Sequence, residues 1–77
     1  MVHAFIMIRT TAGASQEVQD SIAETENVTE AHVVAGEFDV IAEATGEEVY
    51  DILSTASADI QAVAGVEETK TYVSLSA

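Results

Sequence analysis

The chain has 77 residues, 48% of them hydrophobic, with 14 Asp+Glu against 2 Lys+Arg and a formal net charge of −12. That length allows one domain, 1–77, and a domain this small buries only about 60% of its unfolded surface. The chain has no cysteine, which excludes disulfides and thiolate metal sites and leaves oligomerisation as the expected source of added stability.

The charge argues against direct nucleic-acid binding, which needs cations to neutralise phosphates, because only Arg9 and Lys70 are available. Acids are spread along the whole chain rather than clustered. That pattern fits a halophilic protein, in which molar salt shortens the screening length to about 3 Å, better than a dedicated surface for a basic partner. Met1 to Ile8 is apolar but lacks a basic leader or cleavage pattern. No run approaches the roughly 18 apolar residues that span a bilayer, so no membrane contact and a cytoplasmic location are expected. Asn27-Val28-Thr29 is then a chance glycosylation sequon.

Val2 to Thr10 reads as a first strand. Val2, Ala4, Ile6 and Ile8 line one face and His3, Phe5, Met7 and Arg9 the other, so both faces are largely apolar and the strand is central. Thr11-Ala12-Gly13 breaks it. A helix follows from Ala14 or Ser15 to Thr25, with Ala14, Val18 and Ile22 as its apolar stripe. Val28 to Val34 reads as an edge strand, with Ala31, Val33 and Ala35 on one face and Val28, Glu30, His32 and Val34 on the other. Gly36-Glu37 forms a tight turn. A third strand runs from Phe38 to Ala44, with Phe38, Val40, Ala42 and Ala44 on one face. Val49, Ile52, Leu53, Ala56 and Ile60 mark a second helix, opened by a capping box of Thr45 and Glu48 and stopped by Gly65. Val66 to Leu75, rich in Val, Thr and Tyr, is the last strand.

The order βαββαβ matches the α+β, ferredoxin-like plan: a four-stranded antiparallel sheet with two helices on one face. The other face, with Phe5 and Met7, is left uncovered and predicts dimerisation through the sheet.

Catalytic groups are scarce. His3 and His32 lie in strands and read as packed or edge residues rather than a metal or acid–base pair. Adjacent Glu47-Glu48 and Glu67-Glu68 read as a helix start and a strand start. Gly13, Gly36, Gly46 and Gly65 are isolated at element boundaries and make no phosphate cradle, so no cofactor is expected. Asp39 stands out, since an acid at a strand start has poor strand propensity. It reads either as the cap of the turn or as the receptor of a ligand's ammonium group, and the two are compatible. Thr69, Thr71 and Tyr72 offer hydroxyls to such a site, or are ordinary strand formers. Arg9 and Lys70 read as partners of nearby acids.

Ala4 to Ile8 with Ala12-Gly13, Val28 to Val34, Gly36-Glu37-Phe38-Asp39, and Gly65-Val66-Glu67-Glu68-Thr69-Lys70-Thr71-Tyr72-Val73 together resemble the effector (RAM) domain of the Lrp/AsnC transcription regulators. The resemblance covers essentially the whole chain. It implies a domain that dimerises through its sheets, often assembling into rings, with an amino-acid site between dimers near the hairpin. It assigns Gly36, Glu37 and Asp39 to the hairpin side of that site, and Thr69, Thr71, Tyr72 and Val73 to the strand-four side. Full-length members carry an N-terminal helix-turn-helix, which this sequence does not show, so a stand-alone effector domain is expected, able to co-assemble with full-length regulators. The rivals are an interaction-only module that modulates regulator assembly, an ACT-like amino-acid sensor, and a small dimeric ferredoxin-like enzyme, which the shortage of His, Arg and Lys disfavours.

Overall fold

A computed structural model describes residues 1–76. The elements are β1 (Val2–Thr10), α1 (Ser15–Ala23), β2 (Val28–Val33), β3 (Val40–Gly46), α2 (Val49–Ser54) continuing into a π-helical segment (Thr55–Ile60), and β4 (Val66–Val73). The strands form one antiparallel sheet in the order β2-β3-β1-β4. This is the expected ferredoxin-like arrangement, with β1 inside the sheet and β2 at an edge.

Alternation along the strands decides which side is buried. Ala4, Ile6 and Ile8 of β1 and Val40, Ala42 and Ala44 of β3 are fully buried against Val18 and Ile22 of α1 and Ile52, Ala56 and Ile60 of the second helical stretch. Both helices therefore cover one face. Each large aliphatic side chain so buried is worth about 1.5–3 kcal/mol relative to exposure.

Several local expectations give way to tertiary packing. Val28 does not share a face with Glu30 and His32. A bulge between Val28 and Glu30 sets Val28 opposite Ala44 and turns it onto the core. The β2–β3 connection is a bend over residues 34–39, not a two-residue glycine turn, and Gly36 does not take a positive φ. β3 accordingly starts at Val40, and Phe38 leaves the Val40 face for the side of Arg9 and Lys70. The cap of α2 is made by Glu48 and Asp51, whose side chains bond each other's backbone N–H, and not by Thr45. Thr45 and Gly46 instead end β3, and a Cβ on Gly46 would stand 2.8 Å from the Asp51 Cβ. Val49 and Leu53, expected in the core stripe, are about half exposed at 47% and 50%. The wider π-helical turn that follows presents Thr55, Ala56 and Ile60 to the sheet instead. Asn27, at φ 74°, donates from Nδ2 to the buried Thr55 Oγ1 at 3.0 Å and so ties the start of β2 to this segment.

Gly65 takes φ 97° just before β4, and a Cβ there would lie 3.0 Å from Val18 Cγ2 and 3.2 Å from Ala14 Cβ. Backbone strain and crowding thus act together. Gly65→Ala is expected to cost about 1–3 kcal/mol, lowering the thermal midpoint by about 4–8 °C per kcal/mol. An unchanged midpoint would show that this junction tolerates a side chain.

Candidate functional site

The uncovered sheet face reads, across β2-β3-β1-β4, as Glu30, Glu43, Phe5, Tyr72 in one row and His32, Ile41, Met7, Lys70 in the next, with Arg9 and Glu68 closing the end nearest the β2–β3 loop. Phe5 is 37% exposed and Tyr72 56%. The His3 and Phe5 rings stack with centroids 5.5 Å apart.

Arg9 organises the loop end of this face. Its Nε donates to Glu68 Oε1 of β4 at 3.1 Å, and its Nη1 donates to the Glu37 backbone carbonyl at 2.8 Å. Its guanidinium lies 4.9 Å from the centre of the Phe38 ring, and Lys70 Nζ lies 6.0 Å from the same ring. One side chain thus joins the β2–β3 loop to β4 across the width of β1. Sequence alone makes Arg9 and Lys70 simple ion-pair partners and puts Phe38 in the core-facing row. The available signal is that Arg9 alternates with Phe5 and Met7 on the uncovered side.

Asp39 is half-buried. Its Oδ2 accepts from the Thr10 backbone N–H at 2.8 Å and from Thr10 Oγ1 at 3.3 Å, while the Asp39 N–H donates to the Ile8 carbonyl at 2.9 Å. The carboxylate therefore pins the loop to the end of β1, where the β1–β4 register shifts. It acts as a cap, though on a neighbouring strand rather than on its own turn. Val34 N–H donating to the Asp39 carbonyl at 2.9 Å closes the loop. Gly36 and Glu37 are exposed at its tip, and no atom lies within 4 Å of a Cβ built on Gly36. Neither conformation nor packing demands glycine there.

On β4 the alternation divides the four predicted residues. Thr71 pairs with Ile6 and Val73 with Ala4, on the helix-covered side, whereas Tyr72 pairs with Phe5 on the uncovered side. Thr69 lies nearest the loop end and accepts from Gln61 Nε2 at 3.0 Å. It borders a recess of about 220 Å³ lined by Gln61, Val66, Glu67, Glu68 and Thr69. Within one chain the hairpin and β4 residues are linked through Arg9 rather than gathered around one cavity. Among the described residues no His, Cys, Asp and Glu group has metal-binding geometry, and no helix is long and apolar enough to cross a membrane.

At the far corner of the face, His3 Nε2 lies 3.1 Å from Glu43 Oε1, and His32 Nε2 lies 3.0 Å from Glu30 Oε1. The Glu30 carboxyl is held below its ordinary 4.5, chiefly by the His32 hydrogen bond and next by Glu43.

Fold and site together define a ferredoxin-like module with one unpartnered sheet face and an exposed loop tied to its edge strand. The Lrp/AsnC ligand binding domain model matches residues 3–77, and the chain belongs to that family of regulatory ligand-binding domains. TTHA0845 from Thermus thermophilus is 30% identical with a TM-score of 0.94, over 100% of this chain and 96% of that one. The hypothetical protein PHS023 from Pyrococcus horikoshii is 30% identical with a TM-score of 0.89, over 100% of this chain and 93% of that one. The transcriptional regulator NMB0573 from Neisseria meningitidis, solved as a complex with L-Met, is 18% identical with a TM-score of 0.83, over 97% of this chain and 50% of that one. That last likeness is one of fold. No curated protein matches the sequence.

Two outcomes follow from this geometry. Asp39→Ala leaves the Thr10 N–H without its acceptor and should cost about 1.5–3 kcal/mol in ligand-free protein, read as a lower urea midpoint; Asp39→Asn, which keeps an acceptor, should cost less. Equal midpoints for Ala and wild type would remove the capping role. The second outcome concerns acid. Because the Glu30 pKa is lower folded than unfolded, the pair's contribution is complete above about 4.5 and is lost as pH falls through the depressed value. A carboxyl NMR titration should find Glu30 below 4.5 and His32→Gln should raise it; a midpoint at or above 4.5 in the wild type contradicts the pairing.

Proposed function

We propose that this chain is an amino-acid-binding regulatory module of the Lrp/AsnC type, working as a homodimer through its uncovered sheet face and as a ring of such dimers, in the cytoplasm of a halophile. The observation that carries the reading is the Arg9 bridge. It holds the exposed loop around Gly36 and Glu37 beside the Glu68–Thr69 end of β4, and these are the two segments that family resemblance assigns to the effector site. Gly36 supports it further. A residue whose missing side chain serves neither φ nor packing leaves backbone N–H groups open to a ligand's carboxylate.

The L-Met complex of the Neisseria regulator suggests the ligand class. In this reading Gly36, Glu37 and Asp39 face the effector from the hairpin, and Thr69, Thr71, Tyr72 and Val73 contribute from β4 of the same or a neighbouring dimer. Asp39 has one oxygen committed to Thr10, which leaves Oδ1 as its free acceptor for an ammonium group. The same commitment favours the rival reading, an interaction-only module that modulates full-length regulators, because the acid has a structural task without any ligand.

Thermal melting in molar KCl against the twenty amino acids separates the two. A ligand that binds only the folded state at 100 times its dissociation constant adds about 2.7 kcal/mol, so a midpoint shift of several degrees from one or a few amino acids is expected. No shift from any of them, with the protein folded, would leave the interaction-only module. The same melts repeated at millimolar KCl should show a lower midpoint, since −12 per chain is then unscreened; a flat salt profile would contradict the halophilic part.

A further inference from the structure

The chain has 14 Asp+Glu and only 2 Lys+Arg, and both cations are gathered in one place. Arg9 of β1 and Lys70 of β4 reach toward the β2–β3 loop. The Arg9 guanidinium lies 4.9 Å, and Lys70 Nζ 6.0 Å, from the centre of the Phe38 ring. Phe38 belongs to that loop, so the two charges stand beside the segment that carries Gly36 and Glu37. Contacts within the chain account for Arg9 but not for Lys70. Arg9 Nε is met by Glu68 and Nη1 by the Glu37 carbonyl. Among the described residues Lys70 has no carboxylate within ion-pair distance. The ring already has the nearer guanidinium, and two like charges beside one ring repel each other. Folding alone gives no reason to bring the second cation here, in a chain whose surface offers it acids almost everywhere else. An anion held between Lys70 Nζ and the remaining Arg9 Nη2 removes the repulsion and gives both groups a charged acceptor.

The loop end then has two separate receptors for negative charge. One is the backbone N–H run that Gly36 leaves open. The other is the Arg9–Lys70 pair. It has one acceptor for an ammonium group, Asp39 Oδ1, since Oδ2 is held by Thr10. A neutral amino acid fills the backbone receptor and the Asp39 oxygen and leaves the two cations facing each other. An effector with a basic side chain adds a third cation to them, and a purely apolar one meets two charges and a single ring. Resting on the amino-acid reading above, we infer that the effector is an acidic amino acid, of the aspartate or glutamate class, whose side-chain carboxylate is received by Lys70 and Arg9 beside the Phe38 ring. The L-Met bound by the Neisseria regulator has no such second carboxylate, and the likeness to that protein, at 18% identity, is one of fold.

Acid and amide of equal size test this directly. Dissociation constants for L-glutamate against L-glutamine, and for L-aspartate against L-asparagine, are measured by calorimetry as potassium salts at one ionic strength, in the lowest KCl at which circular dichroism finds the wild type folded. One of the two acids should bind at least about tenfold tighter than its amide, equivalent to about 1.4 kcal/mol. Lys70→Gln should bring that ratio down about tenfold, toward parity, and Lys70→Arg should preserve it. Arg9 is left intact, because its loss would also free the loop. An amide that binds wild type as tightly as its acid overturns the proposal. So does an acid preference that survives Lys70→Gln, or one lost equally in Lys70→Arg. Tightest binding by an apolar or basic amino acid, found with the remaining members of the twenty, overturns the acidic class and leaves the amino-acid module standing. No binding by any of the twenty defeats that module itself, and this inference with it. Should Lys70→Gln fail to fold, Lys70→Met takes its place with the same expected ratio.

Discussion

Two helices are enough to cover one side of four strands, and the described residues supply no third layer. That constraint shapes the rest of the molecule. Ala4, Ile6, Ile8, Val40, Ala42 and Ala44 can be fully buried because α1 and the second helical stretch lie over them. The residues that alternate with them, Phe5, Met7 and Ile41, have no covering layer among the described residues. A strand inside a sheet must have two faces, so making β1 central also makes its outer row a surface. The chain treats that surface unlike any other it has, placing aromatic rings and both of its cations there.

The loop between β2 and β3 inherits its position from the same sheet. Asp39 anchors it to Thr10, and Arg9 reaches up from the uncovered face to its Glu37 carbonyl. These contacts hold the second half of the bend, Val34 N–H donating to the Asp39 carbonyl closes it, and Gly36 is left ahead of them with open space around it. An exposed, pinned loop at the edge of a rigid sheet is the arrangement in which binding residues are commonly found. The acidity of the remaining surface has little to do with that geometry. It bears on solubility and on the salt in which the fold is comfortable.

The four-stranded antiparallel sheet, the central place of β1 and the side covered by helices were legible in the sequence because they follow from the element order and periodicity, and the long alternation of β1 carried most of that information. The misreadings fall where one contact outside the local pattern outweighs propensity. Phe38 belongs by spacing with Val40, yet two cations on neighbouring strands hold its ring near the other face. Val28 belongs by alternation with Glu30, yet a bulge returns an apolar side chain to the core. The Thr45–Glu48 pattern satisfies a capping rule on paper, but β3 continues through Gly46, so the cap falls to Glu48 and Asp51. Of the candidate site, resemblance only nominates the two segments. Their link was not legible, because nothing in linear spacing says that Arg9 spans from Glu68 to Glu37. Asp39 was legible as an unusual acid, but its partner Thr10 lies on another strand.

Amide chemical-shift mapping by NMR tests the central claim most directly, that the loop and β4 form one effector site. Titrated with the amino acid that raises the melting point most, residues 34–39 and 67–73 should shift together, with one dissociation constant, along with the Arg9 side chain. Shifts confined to the helices, or a loop that responds while β4 stays silent, would contradict the account.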